Sequence, residues 1–170
     1  MARKKIILLI SVLLLIAYLM SANLFFNDIL TVNGESKRIY LSEIPAEGRV
    51  SCAIDVTENK TIEWKEMLHI RGWAFSRDVA DRNFSIALTL QEQNETPIIF
   101  QPTRMIRPDL NTGIKDVGFN LDRSGFDAFI PKDLLQGHRY RLGFIINNDT
   151  KSIYSPTKYI ITDSNVMPVK

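Results

Sequence analysis

Apolar side chains recur at every second position in several short segments of this chain, and that period demands extended backbone with one buried face. Between residues 83 and 92, Phe84, Ile86, Leu88 and Leu90 alternate with Ser85, Thr89 and Gln91. Tyr140, Leu142, Phe144 and Ile146 repeat the pattern at 138–147, and Val117, Phe119 and Leu121 repeat it at 115–122. Residues 50–56, 67–76, 98–104 and 152–162 complete a set of seven candidate strands. Prolines at 97, 102, 108, 131 and 156 leave no interval for a long helix. One short helical turn fits near residues 132–135. The expected class is all-β, with antiparallel sheets packed face to face.

The N-terminus obeys a different rule. No charge occurs from residue 6 to residue 26, a 21-residue span, which as a helix would reach ~31 Å, close to the hydrocarbon thickness of a bilayer. Arg3, Lys4 and Lys5 precede it and no equal cluster follows, so the positive-inside bias places the N-terminus in the cytoplasm. A cleaved secretory leader ending near residue 22 is the alternative. It would require a small residue where Met20 stands, and Leu24, Phe25 and Phe26 prolong the apolar run past that point. The expected organisation is a cytoplasmic tip at 1–5, a membrane signal anchor at 6–26, a stalk at 27–47, an extracytoplasmic domain at 48–165 and a tail at 166–170.

Charge and cysteine usage exclude several functions. Beyond residue 30 the chain carries 18 Lys and Arg against 18 Asp and Glu, so no basic stripe is available to neutralise nucleic-acid phosphates. Cys52 is the only cysteine, which rules out an intrachain disulfide and a cysteine-based zinc site. Its strand-like surroundings point to a small core residue. The absence of paired cysteines in an exported domain points to a bacterial envelope.

Catalytic and metal motifs are sparse. The chain has no G-x-S-x-G, S-x-x-K, H-E-x-x-H or phosphate-loop pattern. His69 and His138 lack metal-ligand spacing and read as hydrogen-bonded or surface histidines. Asp78, Asp81 and Asn83 supply oxygens that a calcium loop could use, but without the calcium-loop pattern they read as a polar hairpin turn. No cofactor and no metal is expected.

Aromatic residues offer a different chemistry. Trp73, within the string His69 to Phe75, reads first as a core residue between sheets, with Gly72 admitting close backbone approach or a bulge. Stacked on a sugar ring, with Arg71 bonding hydroxyls, it would instead serve binding. Trp64, between Glu63 and Lys65, is the better candidate for exposure. Leu135, Gly137 and Tyr140 form the sequence of a tyrosine corner, in which the Tyr140 hydroxyl bonds a backbone group a few residues upstream.

The strand spacing points to an immunoglobulin- or fibronectin-like sandwich of about seven strands. The motifs I-R-G-W-A-F at 70–75, S-I-A-L-T-L at 85–90, D-V-G-F at 116–119 and L-x-G-x-x-Y-R-L-G-F at 135–144 carry a further likeness. In this order they resemble small bacterial extracytoplasmic immunoglobulin-like domains associated with glycosyltransferase and cell-surface glycopolymer systems. The resemblance covers about residues 50–162 and transfers no catalytic residue. It implies a non-catalytic accessory subunit that meets an envelope membrane protein or surface polysaccharide. The alternatives are a carbohydrate-binding module using Trp64, Trp73 and Arg71, or an envelope enzyme using Asp78, Asp81 or Asp116.

Overall fold

The computed structural model describes residues 37–39, 43–79, 83–93, 95–115 and 117–168. The 6–26 stretch and most of the expected stalk lie outside the described residues. Among those described, no helix is long and apolar enough to cross a membrane.

Among the described residues, ten strands form two antiparallel sheets. They are β1 (Lys37–Ile39), β2 (Ser51–Ile62), β3 (Lys65–Phe75), β4 (Ser85–Gln91), β5 (Ile98–Gln101), β6 (Thr103–Met105), β7 (Gly125–Pro131), β8 (Tyr140–Asn147), β9 (Ser152–Ile161) and β10 (Val166–Pro168). Two short helices, α1 (Asp109–Gly113) and α2 (Lys132–Leu135), and a 3-10 turn at Arg77–Val79 connect them. One sheet runs β1-β5-β4-β8-β9-β10 and the other β2-β3-β7-β6.

The alternation seen in the sequence decides which face of each strand is buried. Leu68 and Ile70 of β3 and Phe126, Ala128 and Ile130 of β7 join Ile86, Leu88 and Leu90 of β4 and Leu142, Phe144 and Ile146 of β8 in one core. The Phe126 and Phe144 rings, one from each sheet, meet at a centroid distance of 5.2 Å. The chain is therefore a two-layer sandwich, and each fully buried aliphatic or Phe side chain contributes ~1.5–3 kcal/mol of gross burial. Ala87, Ile99, Ile145 and Tyr154 form a second, smaller apolar cluster on the outer face of the six-stranded sheet.

Several expectations are corrected. The described residues of 115–122 form no strand. Gly118 has φ +79°, the Asn120 side-chain Oδ1 accepts the Asp122 amide at 2.6 Å, and Asn111 Oδ1 accepts the Leu121 amide at 2.7 Å. Side-chain amides thus take the backbone donors that a sheet ladder would have used, while Leu121 still packs in the core. The expected strand at 98–104 is two strands in different sheets, β5 and β6, divided at buried Pro102. β7, the inner partner of β3, stands where no strand was expected, and Pro108 leads into a second short helix, α1. Residues 37–39 and 166–168, assigned to stalk and tail, are β1 and β10, and Glu47 bridges to Tyr154 of β9. The link from β3 to β4 crosses between sheets through the 3-10 turn, so Asp78 and Asn83 do not lie in a hairpin turn.

Candidate interaction site

β2 and β3 form the longest hairpin of the sandwich, and its apex is the most unusual local geometry in the chain. Ile62 pairs with Lys65, leaving only Glu63 and Trp64 to turn the chain. Both are left-handed, with φ 46° and 73°. A two-residue turn of this hand suits the twist of the flanking strands, but it normally uses Asn and Gly because a Cβ is strained there. Here the second position carries an indole that is 98% exposed. Strain of this kind persists where the surrounding structure over-determines it and is enriched at functional positions.

An open groove of about 520 Å³ begins at the next residue, Lys65. Arg38, Glu66, Asp133, Gln136 and Asp163 line it, with Pro131 as its apolar element. Glu66 Oε2 lies 3.4 Å from Lys132 Nζ across the groove wall. Trp64 therefore stands beside a surface of charged and amide groups rather than at the centre of an apolar patch.

The outer face of the four-stranded sheet holds a second cluster. Strand parity and register place Glu58 and Lys60 of β2, His69, Arg71 and Trp73 of β3, and Asp127 and Phe129 of β7 on this face. His69 is fully buried. Its Nδ1 lies 2.7 Å from Glu58 Oε1, its Nε2 2.5 Å from Asp127 Oδ1, and its ring stacks on Phe129 at 4.4 Å. Each ring nitrogen thus faces one carboxylate oxygen. Lys60 sits 2.7 Å from Glu58, and Arg71 Nε sits 3.8 Å from the other Asp127 oxygen. Hydrogen bonds from Lys60 first, and then from His69, hold the Glu58 carboxyl below its ordinary range. The result is a line of charged groups across three strands with the His69 ring at its centre. Buried and engaged at both nitrogens, His69 links β2 to β7 across β3.

The other residues singled out by sequence fall apart from one another. Strand parity turns Trp73 to the face of His69, yet the indole packs against the main core. It is half-buried on the outer face and stacks on Phe75 at 5.7 Å, with Phe119 packing edge-on against Phe75. Nine positions along β3 separate it from Trp64, about 30 Å of extended chain, so the two indoles cannot form one stacking platform. A Cβ on Gly72 would lie 2.1 Å from the Ala53 carbonyl oxygen, opposite a bulge that leaves Asp55 unpaired. The Tyr140 hydroxyl donates to the Leu134 carbonyl at 3.4 Å, and Gly137 between them has φ +77°. His138 is exposed and bonds Glu92 at 2.8 Å. Cys52 is half-buried against the core, and burial pushes its thiol up to about 11 despite the opposing Lys158 charge. Asp78 accepts the Arg49 amide at 3.4 Å, while Asp81 and Asp116 lie outside the described residues. Among the described residues no group of three or more His, Cys, Asp or Glu could hold a metal ion.

Sequence reasoning could point to Trp64 because charged neighbours flank it. The Glu58–His69–Asp127 contact had no such signal, since its members lie 11 and 58 positions apart. No family model matches this chain, and neither does any curated protein or solved structure.

Proposed function

We propose that this chain is a membrane-anchored, non-catalytic β-sandwich that serves as an accessory interaction subunit in cell-envelope glycopolymer assembly. Its N-terminus is cytoplasmic, its domain is extracytoplasmic, and the β2–β3 apex is the contact element. The observation that carries this reading is Trp64, 98% exposed and fixed in a left-handed turn. A rigid, amphipathic indole with few rotors loses little entropy on contact and is a preferred anchor of recognition surfaces.

The finer fold assignment rests on strand order. A β2-β3-β7-β6 sheet facing β5-β4-β8-β9 follows the A-B-E-D against C′-C-F-G arrangement of immunoglobulin-like domains. β1 and β10 would then be additions at the two edges of the second sheet. Tethering by the 6–26 segment would raise the local concentration of the apex near a membrane partner.

A second reading, direct binding of polysaccharide, draws on the groove beside the apex. Arg38, Glu66, Asp133, Gln136 and Asp163 offer donors and acceptors for sugar hydroxyls, and the groove starts at Lys65, one residue after Trp64. Crosslinking of the full-length chain in membranes, compared with a 31–170 form and with Trp64→Ala, separates the two. Capture of a polytopic envelope protein that needs both the anchor and Trp64 is the expected result. Recovery of polysaccharide alone, equally by the 31–170 form, would replace the accessory reading with the carbohydrate one. Capture unaffected by Trp64→Ala would remove the apex from either account.

A further inference from the structure

The four sheet edges are protected unequally. β1, β6 and β10 are three residues each, and β10 ends at Pro168. β2 runs for 12 residues and, among the described residues, pairs only with β3. Its bulge at Asp55 leaves seven regular positions, 56–62, before the apex. A long regular edge presents unpaired N–H and C=O groups to any strand that can match it.

Those seven residues read Val-Thr-Glu-Asn-Lys-Thr-Ile, and the order is self-complementary. When this strand is laid antiparallel on a copy of itself about Asn59, Val56 faces Ile62, Thr57 faces Thr61, Glu58 faces Lys60 and Asn59 faces Asn59. Each pairing is of a favourable type: β-branched apolar, hydroxyl with hydroxyl, opposite charges, and amide with amide. A shift of the register by two positions, about Glu58, would place Glu58 against Glu58 and Val56 against Lys60. A shift the other way, about Lys60, would place Lys60 against Lys60 and Glu58 against Ile62. The charges therefore select one register as well as one direction.

We propose that β2 is a homodimerisation edge. Two copies of this chain pair antiparallel through residues 56–62 about a two-fold axis at Asn59. The two four-stranded sheets become one continuous eight-stranded sheet, β6-β7-β3-β2 and its two-fold image. The pairing is isologous and closes on itself, so it ends at the dimer rather than growing a fibre. It leaves Trp64 free at both outer ends of the paired segment, and it holds whether or not the apex serves the partner proposed above.

Register-specific disulfide trapping tests it on the full-length chain in detergent, with Cys52→Ser as background. Asn59→Cys brings two thiols into directly opposed positions, with Cβ atoms about 5 Å apart, near disulfide range. In the same register Thr57→Cys leaves its two thiols about 13 Å apart along the strand. The expected result is a covalent dimer under mild oxidation from Asn59→Cys and none from Thr57→Cys. Glu58→Lys added to Asn59→Cys should abolish the crosslink, and Lys60→Glu on top should restore it. Equal trapping at both positions, no trapping at Asn59→Cys, or capture of a different protein at Asn59→Cys would each overturn the proposal. Association through residues 6–26 alone would give a dimer by mass without this positional pattern.

Discussion

Gly72 lies so close beneath the Ala53 carbonyl that a Cβ there would fall 2.1 Å from the oxygen, with the Phe126 ring 3.1 Å away on the core side. Neither neighbour can yield cheaply, since one is backbone in a paired strand and the other is fully buried. Gly72→Ala is therefore expected to cost about 3 kcal/mol or more, as overpacking of a closed site does. Chemical denaturation read by Trp fluorescence would measure it. A loss under about 0.5 kcal/mol, typical of unconstrained surface sites, would mean that the β2 bulge relaxes to make room.

The hairpin apex should trade stability against recognition. Replacing Glu63 and Trp64 together by Asn and Gly removes left-handed strain of ~1–2 kcal/mol per residue, so the double variant should melt higher than the parent. Its capture of the envelope partner should be lost. A variant that binds as well as the parent would show that the exposed indole is dispensable.

Removing the His69 ring should weaken the outer face more than its single substitution suggests. His69→Ala deletes the stack on Phe129 and both carboxylate contacts. Emptying the space of a fully buried, stacked ring is expected to cost about 3 kcal/mol, the lower end for truncating a buried aromatic. Urea unfolding would read it, with the slope unchanged if the sandwich is otherwise intact.

Acid should expose the same cluster. The Glu58 carboxyl is held below its ordinary value of 4.5 by Lys60 and then His69. Its contribution is present above that value and is lost as pH falls through the lower folded-state value. Parent and Glu58→Gln should differ most near neutrality and converge as pH falls from 4.5 through the lower folded-state value. A stability difference that stays constant from pH 7 to 3 would contradict this coupling.

Cys52 should be slow to react. Burial raises its thiol from 9.0 to about 11, and the thiolate is the reactive form. At pH 8 a thiol reagent should modify it much more slowly than it modifies the urea-unfolded chain. Because the folded-state value is the higher one, stability should be intact below pH 9 and decline between pH 9 and 11. Labelling at equal rates in folded and unfolded chain would place the thiol in water.

Much of the sandwich was legible because period two is a local property. The alternation of Ile86, Leu88 and Leu90, and of Leu142, Phe144 and Ile146, names the inner faces of β4 and β8 without knowledge of their partners. The same is true of the short helix after Pro131 and of the lone cysteine, which leaves core packing in place of disulfides. β7 was obscured although Phe126, Ala128 and Ile130 alternate, because Gly125 and Pro131 bound it and Ala128 buries little area. Residues 115–122 failed in the opposite sense, since their alternation is real but Asn111 and Asn120 captured the backbone donors. Trp73 reads as a core residue and does pack against the core, but strand parity turns it to the outer face, which period and composition alone do not reveal for an indole. The division of β5 from β6, the burial of His69 and the long open edge of β2 all depend on which strands come to lie side by side. That choice is made by pairing between residues far apart in the chain, where burial and hydrogen bonding are satisfied together, and it leaves no periodic trace in the sequence.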